Sequence, residues 1–160
     1  VIQGFVNVDC LTPQTLKIDK DTWVVSEDVL ALLNYIPTES LSIVRSSSFL
    51  EHLTPTALRT LFERLYHAMN HNGLMEHWTD NFSILSQRAA RIKLPNDFHE
   101  YLEVCTSLFG LDDFFPTISM FHKSFWTKEI ATWWLVAYGF SIESVEEGPN
   151  FELYIRARKR

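Results

Sequence analysis

The chain has 160 residues, 46% of them hydrophobic and 21% charged, and its formal net charge is −6 at pH 7. This composition excludes a disordered chain and predicts a single folded domain over residues 1–160, because the apolar fraction is high enough for a core. The acidic balance argues against nucleic acid or anionic lipid as the main partner, since both attract positive charge. No apolar run reaches the roughly 18 residues that a membrane-spanning helix needs, so we expect no membrane partner.

The cysteines and histidines give no disulfide or metal signal. Cys10 and Cys105 lie far apart and outside any CxxC spacing, so we expect reduced thiols in a cytoplasmic protein. His67 and His71 have the four-residue spacing of a helical metal site, but no third ligand is evident. The sequence therefore predicts no metal site.

Three short strands are predicted in the first part of the chain. Residues 5–9 alternate apolar and polar side chains and end in Asp9, and residues 23–26 form a β-branched run. Residues 41–46 form the third run. Short runs of this kind, bounded by turn-forming or charged residues, are typical of strands.

The middle of the chain is predicted to be mostly helical. The pair Thr54-Pro55 marks a helix start, with a hydroxyl cap and a proline in the first helical position. Apolar residues then recur at spacings of three and four up to Asn72-Gly73, where we expect the helix to end. Residues 74–78 are a weaker strand candidate, and residues 83–108 form a helical segment broken at Pro95-Asn96.

A helix and a hairpin are predicted at the C-terminal end. After an aromatic-rich loop at residues 109–116, Thr127 is expected to cap a helix that ends at Gly139 in a left-handed conformation. The hairpin has strands over residues 140–146 and 151–157. The inward face of the helix is expected to hold Ile130, Trp133, Trp134 and Ala137.

The alternation of strands and helices predicts an α/β fold, a doubly wound and mainly parallel sheet with an antiparallel strand at the C-terminal end. Ligands of such folds bind beyond the carboxyl edges of the strands. Asp9 and Ser46 end predicted strands, and Asp28 closely follows another. A carboxylate at this edge, such as that of Asp9, can accept hydrogen bonds from both hydroxyls of a ribose. A carboxylate in the next loop, such as that of Asp28, can accept one from the amino group of adenine. Both aspartates also suit ordinary turns.

Three motifs in succession resemble one enzyme family. They are GFVNVD at residues 4–9, SSSFLEHL at residues 46–53 and YGF at residues 138–140. In this order they are similar to the class I S-adenosylmethionine-dependent methyltransferases, and to a small subgroup with NVD in its second strand and LEH after its fourth. The resemblance implies a Rossmann-like fold with a reversed last strand and S-adenosyl-L-methionine as the cofactor.

The resemblance also implies how the cofactor is held. The implied residues lie near the ends of three strands: Asp9 and Cys10 at the ribose and adenine, Asp28 and Val29 at the adenine, Ser46 and Ser47 at the methionine part. The family's glycine-rich loop, at the end of its first strand, has no equivalent in this sequence. We therefore expect an N-terminally truncated chain whose first strand comes from a larger polypeptide or from a second copy in a homo-oligomer.

Candidate catalytic residues follow from the chemistry that the resemblance implies. Methyl transfer from a sulfonium is an in-line displacement, so the protein positions the acceptor and removes a hydroxyl proton. Glu51 and His52 follow the family's fourth strand, and His122 lies in the segment from which the family draws acceptor contacts. A packing or capping role is the alternative for His52. The aromatic rings of residues 109–126 fit either an acceptor pocket or a satellite core.

Two functions are consistent with these residues. The first is methyl transfer from S-adenosylmethionine to an oxygen of a small molecule or glycan. The second is a methyltransferase-like domain that has lost catalysis and serves as an interaction or regulatory module. The missing glycine-rich loop favours the second, whereas the acids near the strand ends favour the first.

Overall fold

The computed structural model describes residues 6–8, 16–17, 23–25, 28–93, 96–109 and 122–160. Two predicted cofactor contacts, Asp9 and Cys10, lie outside these residues. So does most of the predicted aromatic-rich loop at residues 109–116.

Three short strands near the start of the chain form one sheet in the order β1-β3-β2. β1 (Val6–Val8) runs parallel to β3 (Trp23–Val25), and β2 (Leu16–Lys17) runs antiparallel to β3. β1 and β3 lie where the sequence predicts strands. β2 was not predicted, because two residues are too few to show an alternating pattern.

Four longer strands form a second sheet in the order β4-β5-β7-β6. They are β4 (Leu41–Ser47), β5 (Met69–Asp80), β6 (Phe140–Glu147) and β7 (Glu152–Lys159). β4 pairs with β5 in parallel, and β7 pairs antiparallel with both β5 and β6, so β7 alone is reversed in this sheet. This confirms the predicted α/β sheet with an antiparallel strand at the C-terminal end. Among the described strands, no pairing joins the two sheets.

Five α-helices occur in the described residues: α1 (Val29–Leu32), α2 (Pro55–Ala68), α3 (Phe82–Ala89), α4 (Phe98–Phe109) and α5 (Lys128–Ala137). Two begin at the predicted caps. The hydroxyl of Thr54 accepts a hydrogen bond from the Ala57 N–H at 3.2 Å, and that of Thr127 accepts one from the Ile130 N–H at 3.2 Å. Of the helices in the described ranges, none has the length and apolar character needed to cross a membrane.

α2 ends earlier than the sequence predicts. Its last residue is Ala68, and Met69 already has extended backbone angles and pairs with Leu41 of β4. Met69 is fully buried, as the spacing of apolar residues along the predicted helix requires, but the residue belongs to β5. The prediction that Asn72-Gly73 ends the helix is therefore wrong. These residues lie in β5, where the pairing with β4 shifts register.

The inward face of α5 was predicted one residue out of phase. Trp133 is 64% exposed and Ile130 is also exposed, whereas Ala131 and Leu135 are fully buried. Trp134 is half-buried against the core, as predicted. A shift of one residue rotates the inward face of a helix by about 100°. Because apolar residues are adjacent along α5, the sequence is compatible with either of two inward faces.

Gly139 has the left-handed conformation that the sequence predicts, with φ of 88°. A Cβ atom at this position would lie 2.7 Å from Cε2 of Tyr66. Both the backbone angle and the contact with Tyr66 therefore require glycine at the junction of α5 and β6.

The hydrophobic core lies on one face of the second sheet. Met75 of β5 and Ile155 of β7 are fully buried on that face. Phe62 of α2 and Leu135 of α5 belong to the same buried cluster. α2 packs against β5, and α5 packs against β6 and β7. The carboxyl ends of the parallel strands β4 and β5 meet at one edge of the sheet.

Candidate active site

The three predicted catalytic residues come together at the carboxyl ends of β4 and β5. Glu51 and His52 lie in a 3₁₀ turn (Leu50–His52) that follows β4, and His122 comes from the segment before α5. The rings of His52 and His122 meet edge to face with centroids 4.9 Å apart. One potential ligand atom from each of the three residues lies within 4.8 Å of the other two. We call these residues the Glu-His-His cluster.

Glu51 joins the end of β5 to the segment that carries His122. Its side chain is buried, and its Oε2 accepts a hydrogen bond of 2.7 Å from the hydroxyl of Thr79. Its backbone carbonyl accepts hydrogen bonds from the N–H groups of Lys123 (2.6 Å) and Ser124 (3.1 Å). Burial raises the pKa of Glu51 above the ordinary carboxyl value, although the hydrogen bonds act in the opposite direction.

Asp80, the last residue of β5, adds a second carboxylate beside the cluster. Its Oδ2 lies 3.8 Å from Nδ1 of His122. Burial, followed by the negative charges of Glu51 and Glu152, raises the pKa of Asp80 to about 6. The chemistry of this edge therefore includes a carboxyl group that titrates close to neutral pH.

His122 is neutral at pH 7. Burial is the largest cause that lowers the pKa of His122 to about 4, and the neighbouring His52 lowers it further. A backbone hydrogen bond to Ser107 raises the pKa and offsets part of this shift. The contact with Asp80 at 3.8 Å therefore joins a carboxylate to a neutral imidazole rather than to an imidazolium. A neutral imidazole can accept a proton or bind a metal ion.

A narrow cavity of about 10 Å³ lies beside these groups, lined in part by Glu51, Asp80 and His122. This volume corresponds to about one water molecule. A wider and more open depression of about 600 Å³ runs along α5, where Lys128, Trp133 and Val136 line it. The depression contains none of the predicted site residues, so its size does not make it the better candidate.

Ser46 lies near the carboxyl end of β4, and its contact with the methionine part of the cofactor stays a prediction. Its Oγ is 2.5 Å from Nδ1 of His77, which faces it across the strand pair. His77 is fully buried, and burial lowers its pKa to about 4. Ser47 is exposed at the end of the same strand. The hydroxyl of Ser46 is therefore held by a neutral imidazole at the strand edge.

Asp28 has a structural role that its sequence position left open. Its Oδ1 accepts hydrogen bonds from the N–H groups of Leu30 (2.8 Å) and Ala31 (3.1 Å), so the carboxylate caps α1. Val29, the first residue of α1, packs half-buried against the core. The contacts of Asp28 and Val29 with adenine stay predictions, as do those of Asp9 and Cys10 with the cofactor.

Thr79, Asp80 and Ser124 belong to the site but are not among the predicted site residues. Asp80 had a usable signal, because it follows the predicted strand at residues 74–78 by two positions, as Asp28 follows the strand at 23–26. Thr79 and Ser124 had none, since each acts through Glu51 or the carbonyl of Leu50 across long sequence separations.

Comparison with known proteins assigns the fold. No protein-family model and no curated protein matches this sequence. Solved structures do match. A SAM-dependent methyltransferase from Archaeoglobus fulgidus superposes with a TM-score of 0.55 at 20% identity, over 88% of this chain and 68% of that chain. The chain has the methyltransferase fold.

Two further structures with this methyltransferase fold were solved with cofactor-related ligands. Burkholderia thailandensis 1,6-didemethyltoxoflavin-N1-methyltransferase holds 1,6-didemethyltoxoflavin and S-adenosylhomocysteine; it has a TM-score of 0.58 at 13% identity, over 88% of this chain and 52% of that one. Human N-acetylserotonin methyltransferase, in complex with SAM, has a TM-score of 0.54 at 13% identity, over 90% of this chain and 35% of that one. The chain thus spans from about a third to about two thirds of the length of these three proteins.

Proposed function

We propose that this chain is part of a methyltransferase that moves a methyl group from S-adenosylmethionine to a hydroxyl oxygen of a small molecule or glycan. The observation that carries the proposal is the Glu-His-His cluster with Asp80, which lies at the carboxyl ends of β4 and β5. Ligands of open α/β sheets bind at this edge. The methyltransferase fold of the chain supports the same cofactor, since two structures with that fold were solved with SAM or S-adenosylhomocysteine.

The proposed reaction needs a proton acceptor near the acceptor oxygen. The bond from sulfur to the methyl carbon breaks while the bond from oxygen to that carbon forms, and the hydroxyl proton leaves to a base. Asp80 is matched to this role because its pKa of about 6 is near neutral. His52 and His122 lie beside it to orient the acceptor, and Glu51 holds the segment that carries His122.

The cofactor contacts belong to the proposal too. Asp9, Cys10, Asp28 and Val29 would contact the nucleoside, and Ser46 and Ser47 the methionine part. The glycine-rich first strand would come from a larger polypeptide or a second copy of the chain, and we place the protein in the cytoplasm.

The test is calorimetry of S-adenosylhomocysteine binding to the full-length protein. We expect binding that weakens at least about tenfold in Asp9→Ala, because a carboxylate that bonds both ribose hydroxyls contributes more than about 1.4 kcal/mol. Glu63→Gln, on the exposed side of α2, is the matched control and should bind as the wild type does. No binding by the wild type, or equal binding by Asp9→Ala, would contradict the proposal. Binding without methyl transfer to any hydroxyl would favour the non-catalytic module.

A further inference from the structure

We propose that Glu51, His52 and His122 bind a divalent transition-metal ion of the zinc and cobalt class. Their three potential ligand atoms lie within 4.8 Å of one another. In a tetrahedral site with bonds of about 2.0–2.2 Å, ligand atoms lie about 3.3 Å apart. To bind an ion, the three ligand atoms would therefore have to approach one another by at most about 1.5 Å. His52 and His122 are partly buried, and 10% of the His122 side chain is exposed. A rotation of the His52 ring would provide most of this movement.

The donor atoms determine which ions fit. Two imidazoles and one carboxylate are the ligand set of several catalytic zinc sites and of non-haem iron sites with open positions. Magnesium and calcium prefer sites built from oxygen ligands. The Glu-His-His cluster therefore favours a borderline transition-metal ion and leaves at least one coordination position open.

The groups around the cluster hold its members in position. The Thr79 hydroxyl donates a hydrogen bond of 2.7 Å to Glu51, and His122 has a backbone hydrogen bond to Ser107. Oδ2 of Asp80 lies 3.8 Å from Nδ1 of His122. Metal-binding histidines and carboxylates usually have such outer partners, which fix the orientation of the ligand.

The balance of charge also favours a cation. Glu51 is 2% exposed, and among the described residues it forms no ion pair with a lysine or an arginine. Burying a carboxylate without a positive partner is costly. A divalent ion among these side chains would supply that partner, and the narrow cavity beside Glu51, Asp80 and His122 lies where the ion would enter.

The proximity of the three residues is a tertiary feature. Glu51 and His122 are far apart in sequence, and their spacing carries no metal signal. His67 and His71, whose spacing does resemble a helical site, lie on different elements, since α2 ends at Ala68. His71 is exposed and serves as the matched control histidine.

The test is titration of the full-length protein with Co²⁺, followed by visible absorption and calorimetry, without S-adenosylmethionine or acceptor. We expect one Co²⁺ per chain, with a Kd that rises at least about tenfold in His52→Ala and in His122→Ala and is unchanged in His71→Ala. Glu51→Gln keeps the size of the side chain and should also weaken binding, which covers the case of an alanine variant that does not fold.

Two results would overturn the proposal: a wild type that binds no Co²⁺, or binding that persists in both alanine variants. The titration requires no methyl transfer, so its outcome is separate from that of the proposed function.

Discussion

Oγ of Ser46 and Nδ1 of His77 lie 2.5 Å apart across the parallel strands β4 and β5, and the imidazole is fully buried. Nε2 of His77 has no hydrogen-bond partner among the described residues. A proton on this ring would place a charge inside the core, so folding keeps His77 neutral.

The stability contributed by neutral His77 should be lost as the pH falls. Burial lowers its pKa to about 4 from the ordinary value of 6.5, so the unfolded chain binds more protons than the folded chain between these pH values. Stability is then fully present above pH 6.5 and decreases towards pH 4. The loss is about 3 kcal/mol at pH 4.

Urea unfolding at several pH values measures this effect as the difference between the wild type and His77→Gln. Other groups that titrate in this range cancel in the difference. His71→Gln, at an exposed position, should unfold with the pH dependence of the wild type. A difference between wild type and His77→Gln that stays constant from pH 7 to pH 4 would contradict the buried neutral histidine.

The proposed reaction should depend on the ionisation of Asp80. Its pKa of about 6 predicts that kcat/KM rises as the pH increases through about 6, because the carboxylate form accepts the proton. Asp80→Asn should lower kcat/KM by about 100-fold. The measurement is kcat/KM against pH with a hydroxyl acceptor and chelator-treated protein, because a cation bound beside Asp80 would lower its pKa.

Glu152→Gln is the matched variant for Asp80. The charge of Glu152 raises the pKa of Asp80, so its removal should shift the acid limb of the pH profile to lower pH without removing activity. An acid limb that remains near pH 6 in Asp80→Asn would assign it to a different group.

The hydrogen bond from Thr79 to Glu51 should contribute to stability. Both residues are 2% exposed, and the hydroxyl lies 2.7 Å from Oε2. Thr79→Val keeps the shape but leaves the buried carboxyl group without this partner, which should cost about 1–3 kcal/mol in the free energy of unfolding. Thr79→Ser retains the hydroxyl and should lose less. Equal losses in the two variants would show that packing, not the hydrogen bond, is responsible.

Gly139 should be intolerant of any side chain. In Gly139→Ala, the alanine would have to adopt a φ of 88°, and its Cβ would lie 2.7 Å from Cε2 of Tyr66. We expect a loss of about 2 kcal/mol in the free energy of unfolding. Gly148→Ala is the comparison, because Gly148 has a φ of −87° and its nearest Cβ contact is 3.2 Å. A loss in Gly139→Ala no larger than that in Gly148→Ala would be inconsistent with this account.

The local features of the fold were predictable from the sequence. The caps at Thr54 and Thr127 and the left-handed Gly139 each depend on residues a few positions apart. So does the C-terminal hairpin, whose β7 is reversed as the motif order implies. In each case, the backbone preference or hydrogen-bonding group that produces the feature is present in the residue itself.

Tertiary contacts decided the rest. Met69 became a strand residue because it pairs with Leu41, although its apolar side chain suits the helix equally well. The phase of α5 depended on which of its apolar side chains met the core. The sequence by itself determined that Glu51 and His52 follow a strand. Only folding brought His122 to within a ring contact of His52, because the burial and pairing energies that hold them together act between residues far apart along the chain.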